Sequence, residues 1–295
     1  MLRFNRFNHR SPLITCTLGV LLWCATPCSA SADEPDLRWN PNWSRFTSTQ
    51  YALSATMAAS LVASSVLLDP VSEPRWQKAV FLDDGARSML AARNEGGRRI
   101  ASSASDFLAL GLVVYPFAID TLLVAGVLHG SPDVAMQMGL IGLQAVLLTA
   151  LVTDLTKELV GRARPDSGRC AAGEQAACGS NTESFLSGHT SGAFVGAGLI
   201  CANHQNLALY GDGPAGAIAC GTALTAATAV GTLRIVADRH HMTDVLAGAA
   251  LGLATGYLLP NLTNFDFGRS REQSTSTVTP MLGKGTLGLT YTRTF

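Results

Sequence analysis

Charged residues are scarce in this chain. Asp, Glu, Lys and Arg make up 14% of its 295 residues, whereas soluble proteins carry about a quarter. Aromatic residues are also few, at 7%, while hydrophobic residues reach 47%. Disordered proteins combine low hydrophobicity with high net charge, so this composition excludes that class.

Neither sign of charge is in excess. The chain has 21 basic and 21 acidic residues, which gives a formal net charge of zero. A neutral chain has no overall positive field to attract nucleic acid, and we predict no nucleic-acid partner. The abundance of small and aliphatic residues, including 29 glycines, favours closely packed or membrane-embedded helices.

The first 32 residues have the three regions of a secretory signal peptide. Arginines precede an uncharged stretch from Pro12 to Ala25, and small residues follow at 30–32. The apolar part is shorter than the roughly 20 residues that a membrane span needs. We expect cleavage near Ala32, with an uncleaved anchor helix as the alternative. The mature chain then lies outside the cytosol.

Four cysteines remain after that cleavage, and an even number in an exported chain suggests disulfides. Cys170 and Cys178 flank a short polar loop, which favours their pairing. Cys201 and Cys220 lie at the facing ends of two apolar segments, so we predict a second disulfide there. Buried free thiols are the alternative for the second pair.

Six apolar segments predict an all-α fold, a six-helix bundle, because their length and Ala/Leu content suit helices better than strands. They cover residues 51–69, 107–128, 134–155, 190–203, 215–233 and 245–259. The expected organisation is a signal peptide (1–32), an N-terminal helix with a polar connection (33–103), a helical core (104–262) and a polar C-terminal tail (263–295). The mixed charges of the connection indicate a solvated segment that can include a short amphipathic helix. Alternating residues in the tail suggest a short β-hairpin.

Glycines recur at every fourth position in two of the predicted helices. Gly192 and Gly196 do so in the fourth, and Gly248, Gly252 and Gly256 in the sixth. Each set gives one helix face that is smooth enough for close approach of another backbone.

Polar side chains gather at the edges of the later apolar segments. Lys157 and Arg164 lie seven residues apart, which is two helical turns, so both project from one helix face. Pro165 then disfavours helix and begins a loop. Alone, such a pair is more often a solvated helix end than a binding site.

A short polar motif, Ser187-Gly188-His189, opens the fourth segment. Here a hydroxyl can cap the helix, and free backbone N–H groups point toward an anion. Gly188 allows an oxyanion to approach the main chain closely. Alone, a serine at this position is more often a plain helix cap than a ligand-binding residue.

A third group lies between the fifth and sixth segments and contains Arg234, His240 and Asp244. In a helix that starts at His240, the four-residue spacing lets Asp244 accept the proton of one imidazole nitrogen. The other nitrogen is then free to act as a nucleophile. With the two groups above, these residues predict a pocket for a phosphoryl group, lined by three cations, a helix N-terminus and two histidines.

The three fragments together resemble the type 2 phosphatidic acid phosphatase superfamily, which includes bacterial acid phosphatases and vanadium haloperoxidases. The family pattern is Lys-x6-Arg-Pro, then Pro-Ser-Gly-His, then Ser-Arg-x5-His-x3-Asp. The chain has KELVGRARP, LSGH and LRIVADRHHMTD in that order. By this resemblance it is identified as an exported bacterial member of the superfamily.

The resemblance implies the helical bundle of that family and a metal-independent phosphatase without a cofactor. His240 would attack phosphorus to form a phosphohistidine, and Asp244 would orient it. His189 would protonate the leaving oxygen and then activate water. The phosphate would be held by Lys157, Arg164, Ser187, Gly188 and Arg234.

The chain departs from the family pattern at three positions. Leu186 replaces the motif proline, Leu233 replaces the serine before Arg234, and Asp238 stands where glycine is common. None of the three removes a catalytic side chain, but an acid at 238 beside a cationic pocket is expected to weaken phosphate affinity or alter the choice of leaving group. His241 is a rival nucleophile by adjacency, although it has no carboxylate four residues later.

Family members are either membrane enzymes with six spans or soluble secreted bundles. If the signal is cleaved and every segment spans, the chain crosses three times before Lys157, which puts the pocket in the cytosol. The fourth segment is short for a span. We therefore expect an envelope protein with a periplasmic active site, either a compact bundle or one held to the membrane by 107–128 and 134–155.

The leading function is hydrolysis of a phosphomonoester or pyrophosphate. A lipid-linked substrate is favoured, such as phosphatidate, a prenyl pyrophosphate or a lipid A phosphate. One alternative is a vanadate-dependent haloperoxidase, in which vanadate would be the cofactor. Another is a non-catalytic binding or structural protein of the cell envelope that keeps the scaffold of the family. The expected partners are a phosphorylated small molecule or lipid and the membrane.

Overall fold

A computed structural model describes residues 37–67, 71–173, 182–266, 275–283 and 286–294. Its helices are α1 Ser48–Leu67, α2 Asp83–Leu90, α3 Glu95–Leu128, α4 Pro132–Val160, α5 Ser167–Ala171, α6 Gly188–Asn206, α7 Ala215–Val236 and α8 Met242–Thr263. Two strands follow, β1 Thr275–Gly283 and β2 Thr286–Thr294, and they pair antiparallel from Gly283↔Thr286 outward. The predicted signal peptide lies outside the described residues.

The described residues form eight helices rather than the predicted six, because α2 and α5 add to the six long ones. The first has eight residues with two acids in its first turn, and the second has five residues. Helix α2 lies in the connection, where the sequence allowed for a short amphipathic helix, and α5 is too short to appear as an apolar segment. The first buries Asp83 and Ala86, so its position in the structure is fixed by tertiary contacts.

The helices α3 and α8 each change from α-helical to π-helical winding, at Pro116–Leu128 and Ala254–Leu258. Pro116 has no backbone N–H, so it cannot complete the preceding α-helical turn. The hydroxyl of Thr121 donates to the carbonyl of Pro116 at 2.7 Å within the bundle. This side-chain bond satisfies a main-chain acceptor inside the wider turn.

The centre of the bundle is α6. Twelve of its 19 residues are buried, and it contacts α3, α4, α7 and α8. Between His189 and His204 it has no charged residue, because neighbouring helices enclose it from all sides. The two ends of α6 therefore carry its chemistry.

Glycines allow α8 to pack directly against the backbone of α6, as their four-residue spacing predicts. A Cβ on Gly252 would lie 2.5 Å from the carbonyl oxygen of Ser191, and one on Gly256 would lie 2.3 Å from that of Val195. Contacts this short would force the two helices apart. We call this glycine contact between α6 and α8, at Gly248, Gly252 and Gly256, the seam. The seam holds the first turn of α8 next to the first turn of α6.

A disulfide joins Cys201 of α6 to Cys220 of α7, and the predicted pair is confirmed. Twelve residues of helix separate Cys201 from His189, which is about 18 Å along the axis. The other predicted pair includes Cys178, which lies outside the described residues.

Five of the described helices are long and apolar enough to cross a membrane. They are α1, α3, α4, α7 and α8. Their outward faces expose large apolar side chains, including Val66, Phe107, Leu122 and Ile218. This surface suggests association with a membrane.

Candidate active site

The structure brings all eight predicted site residues to one end of the bundle. They occupy the last turn of α4 and the loop after it, the first turn of α6, the last turn of α7, the loop before α8 and its first turn. A Cβ on Gly188 would lie 3.5 Å from Nζ of Lys157. The backbone N–H of Ser187 donates to the carbonyl of Asp244 at 3.2 Å. Residues far apart in sequence therefore line one pocket.

The nucleophile candidate His240 is buried, and its Nδ1 lies 2.8 Å from the carbonyl oxygen of Ser184. A carbonyl only accepts, so Nδ1 carries the hydrogen and Nε2 has the free lone pair. Burial, and then the positive charges of Arg234 and Arg164, lower the pKa of His240 to about 3, with Asp244 opposing the shift. The imidazole is therefore neutral at neutral pH.

The carboxylate of Asp244 lies 3.7 Å from Nδ1 of His240 and reaches it through an intermediate residue. Its Oδ2 accepts from the hydroxyl of Ser184 at 2.6 Å and from the N–H of His241 at 2.9 Å. Its Oδ1 accepts from Arg162. One residue, Ser184, thus binds Asp244 with its side chain and His240 with its carbonyl.

The guanidinium of Arg162 is fully buried behind Asp244. It contacts Asp83 of α2 at 2.5 Å, and its carbon lies 3.9 Å from the ring centroid of Trp76. The carboxylate of Asp83 in turn accepts from the N–H of Thr243 at 2.9 Å. Burial alone would raise the pKa of Asp83, but these hydrogen bonds lower it below its ordinary value.

These contacts correct one expectation from the sequence. The segment that reads as a solvated connection places half-buried Trp76 and buried Asp83 in contact with Arg162, behind the loop that carries His240. Arg162 lies two residues before the motif residue Arg164. This position could have identified it as a site residue, but the motifs do not include it. Ser184 has no comparable signal, because its role depends on which chain segments pack together.

Buried Arg234 and partly buried Arg164 offer donors to an anion. Arg164 lies 4.0 Å from Glu183 through Nη2, and Arg234 donates through Nη1 to Ser105 and Asp106. The Nε–H groups of both arginines are buried and make no hydrogen bond to the described residues. Burial, followed by the charge of Arg239, lowers the pKa of Arg164. A phosphate oxygen would satisfy these donors.

The first turn of α6 presents backbone N–H groups to the same pocket. Ser187 is buried at the position before the helix, but its hydroxyl bonds Thr190 Oγ1 at 2.8 Å and no backbone N–H. The predicted side-chain cap is therefore wrong, because Thr190 takes the hydroxyl instead. The N-terminus of α6 remains a favourable place for negative charge.

A residue that no motif contains completes the pocket. Asp106 of α3 lies 2.9 Å from Nε2 of His189 and 3.0 Å from Nη1 of Arg234. Ser102 and Ser105 of the same helix also face Arg234, at 3.4 and 3.2 Å. Ser102 lies three residues before Ser105 and four before Asp106, so it shares a helix face with each of them. That spacing was available in the sequence.

The negative charge of Asp238 is paired with two arginines. Arg87 donates two hydrogen bonds of 2.8 Å to its carboxylate, and Arg169 donates another. Burial would raise the pKa of Asp238, whereas these bonds lower it. Its φ of 59° is left-handed, which explains why glycine suits this position.

The rival nucleophile His241 is occupied elsewhere. Its Nε2 lies 3.3 Å from the carbonyl oxygen of Ala163. Among the described residues, no group of three or more His, Cys, Asp or Glu side chains is arranged to hold a metal ion.

Comparison with known proteins gives a family match. Residues 139–267 match the family model of the PAP2 superfamily. A PA-phosphatase related-family protein of Dictyostelium discoideum is 34% identical over 118 residues, which are 38% of this chain and 44% of that protein. The chain thus covers less than half the length of that relative.

A solved structure is also similar. It is the crystal structure of the first transmembrane PAP2 type phosphatidylglycerolphosphate phosphatase from Bacillus subtilis. The identity is 19%, the TM-score is 0.48, and the match covers 76% of this chain and 98% of the other. The segment that matches the PAP2 model contains every residue of the three motifs, whereas Asp83 and Asp106 precede it.

Proposed function

We propose that the chain is a phosphatase that passes a phosphoryl group from its substrate to His240 and then to water. The observation that carries the proposal is the state of His240. Its Nδ1 is held by the Ser184 carbonyl, and burial keeps the imidazole neutral beside Arg234 and Arg164. A neutral, oriented imidazole with a free Nε2 is a nucleophile.

In the first step the Nε2 lone pair of His240 forms a bond to phosphorus. The bond from phosphorus to the leaving oxygen breaks, and protonated His189 gives that oxygen a proton. In the second step His189 takes a proton from water as the water oxygen attacks phosphorus. The phosphorus–nitrogen bond breaks, inorganic phosphate leaves, and both histidines regain their starting states.

Lys157, Arg164 and Arg234 supply the positive charge for both steps. The equatorial oxygens of a transferring phosphoryl group carry negative charge that is spread over all three. Donors already fixed by burial stabilise this charge without reorganising during the reaction. The N-terminus of α6 adds a fourth favourable group.

The substrate we propose is a lipid-linked phosphomonoester or pyrophosphate, of the phosphatidate, prenyl pyrophosphate or lipid A type. The pocket lies at the end of a bundle whose outer helices are apolar enough to enter a membrane. A headgroup at the membrane surface could reach such a pocket while its acyl or prenyl chains stay in the bilayer. Phosphate release from each of these lipids and from a nucleotide would rank the candidates.

We also propose that the pocket faces the side of the membrane outside the cytosol, as the signal peptide predicts. The disulfide Cys201–Cys220 supports an oxidising compartment. Oxidised pairs of this kind are rare in the cytosol.

The test of the function is the substitution His240→Ala. We expect hydrolysis of p-nitrophenyl phosphate to fall by about 10³-fold or more, because the nucleophile is lost. His241→Ala is the matched control, since it removes the neighbouring imidazole that contacts Ala163, and we expect it to retain most activity.

Acid-labile phosphate trapped on the wild-type protein should also vanish in His240→Ala and persist in His241→Ala. Circular dichroism checks that both variants fold. Unchanged turnover in a folded His240→Ala variant, or a label that follows His241, would refute the mechanism.

A further inference from the structure

The two histidines of the pocket are held by their environment through opposite nitrogens. His240 has Nδ1 on the carbonyl of Ser184, at 2.8 Å. His189 has Nε2 on Oδ1 of Asp106, at 2.9 Å. The nitrogens left for substrate are therefore Nε2 of His240 and Nδ1 of His189.

We propose that Asp106 is a positioning residue that fixes the tautomer of His189 and directs its Nδ1 to the leaving oxygen. The proposal rests on the phosphatase function proposed above. It assigns to α3, which precedes the PAP2 segment, a part in the proton transfer.

The tautomer follows from the chemistry of the pair. An ionised carboxylate accepts hydrogen bonds and cannot donate them, so the hydrogen between the two groups lies on Nε2 of His189. Neutral His189 then has its lone pair on Nδ1, where it can accept a proton from water. Protonated His189 has an N–H at Nδ1 that it can give to the leaving oxygen.

Asp106 also supplies the negative charge that an imidazolium needs here. His189 is faced by Lys157 of α4, by Arg164 of the loop that follows, and by Arg234 of α7. All three cations disfavour a second positive charge on the ring. Burial and these three charges lower the pKa of His189 to about 4, and the carboxylate of Asp106 opposes this shift. His189 therefore keeps its proton to a higher pH than it would without Asp106.

Arg234 fixes the position of Asp106. Its Nη1 donates to Oδ1 of Asp106 at 3.0 Å, the same oxygen that contacts His189. The side chain of Asp106 is 52% exposed, so this contact and the helix backbone, rather than burial, hold it in place. Arg234 thus binds both phosphate and the carboxylate that orients the acid.

The test compares two leaving groups in Asp106→Asn. Benzyl phosphate releases a poor leaving group that needs a proton, whereas p-nitrophenyl phosphate releases a phenolate that needs little help. We expect kcat/KM for benzyl phosphate to fall about tenfold or more beyond any fall for p-nitrophenyl phosphate, because only the first depends on the acid. The alkaline limb of the benzyl phosphate profile should also move to lower pH, since His189 loses its proton more easily without the carboxylate.

Two further variants serve as controls. Asp106→Glu keeps the charge and should restore part of the benzyl phosphate activity. Glu95→Gln removes an exposed acid from the first turn of the same helix and should leave both substrates unaffected. An equal loss for both substrates in Asp106→Asn would show that Asp106 has a purely structural role. No loss for either substrate would show that it has no role. Each of these results overturns the proposal.

A measurement without turnover separates this proposal from the function itself. If the wild-type protein hydrolyses neither ester, the phosphatase function is wrong, whatever Asp106 does. The ¹⁵N chemical shifts of His189 then still test the pair. The wild type should show the tautomer protonated at Nε2, and Asp106→Ala should lose it; the same tautomer mixture in both would overturn the proposal.

Discussion

Nδ1 of His240 lies 2.8 Å from the carbonyl oxygen of Ser184 and 3.7 Å from Oδ2 of Asp244. The carboxylate acts through Ser184, whose hydroxyl it accepts at 2.6 Å. A main-chain carbonyl that is fixed by its own side chain is a rigid acceptor. The ring orientation of His240 therefore depends on the packing of residues 182–187 as well as on Asp244.

The low pKa of His240 gives a prediction about acid tolerance. Free imidazole titrates at 6.5, whereas burial brings the pKa of His240 to about 3. Lowering the pH from 7 to 5 therefore leaves the nucleophile neutral, and its protonation removes activity only as the pH approaches 3. The measurement is kcat/KM for p-nitrophenyl phosphate against pH, corrected for ionisation of the substrate.

The free energy of unfolding also falls toward acid pH. In the unfolded chain His240 binds a proton below pH 6.5, whereas in the folded chain it stays neutral until about pH 3. The contribution of this residue to folding is complete above 6.5 and falls as the pH drops toward 3. An acidic limb of activity that is centred near 6.5 and belongs to His240 would contradict the assigned environment.

The short helix α2 has only eight residues, but it supports the loop that carries His240. Its Asp83 binds Arg162 and Thr243, and its Arg87 binds Asp238. These contacts hold the two ends of the loop that carries His240. Buried ion pairs contribute little net stability, but removing one partner leaves a buried charge, so such contacts act mainly by fixing geometry.

At the seam between α6 and α8 the two helices pack so closely that there is no room for a side chain. In Gly252→Ala the new methyl group would meet the Ser191 carbonyl at 2.5 Å and Cβ of Phe194 at 2.6 Å. We expect a loss of about 1–3 kcal/mol or more in unfolding free energy, because the helices must separate. Activity should fall too, since the seam aligns Asp244 with the first turn of α6.

Gly221→Ala is the matched control for the seam. Gly221 lies within α7 and nothing approaches its added Cβ within 4 Å. The substitution should be neutral or stabilising by up to about 1 kcal/mol, because alanine has the higher helix propensity. Equal thermal or denaturant stability of the two variants would rule out close packing at Gly252.

At the scale of the whole molecule, the pocket and the disulfide lie toward opposite ends of α6. Five helices surround or flank this axis and expose apolar faces to their surroundings. The first of them, α1, buries only Ser64 of its 20 residues and packs on α4. A helix with so little protein contact is most stable when lipid covers its exposed side.

Membrane attachment gives the prediction at this scale. We expect the chain to remain in the membrane pellet after extraction at alkaline pH, because apolar helices are not released by removing ionic contacts. A cysteine introduced at exposed Arg99, at the pocket end of α3, should react with a membrane-impermeant maleimide on intact cells. The unsubstituted chain is the control for its native cysteines.

Two results would contradict this arrangement. Release of the chain by alkali would make it a soluble bundle. Labelling of Arg99→Cys only after permeabilisation would place the pocket in the cytosol, as expected if α1 crosses the membrane.

The sequence by itself determined the helical character of the chain, the three motifs and the pair Cys201–Cys220. Helix length and apolar content are local properties, and the motif spacing is set by helical turns and short loops. The tertiary structure alone decided that Ser184, rather than Asp244, directly contacts His240, and that Asp106 contacts His189. It also decided that Asp238 is neutralised by Arg87 and Arg169. The physical reason is that partners separated by tens of residues meet only where helices pack, and no local pattern encodes which helix ends will meet.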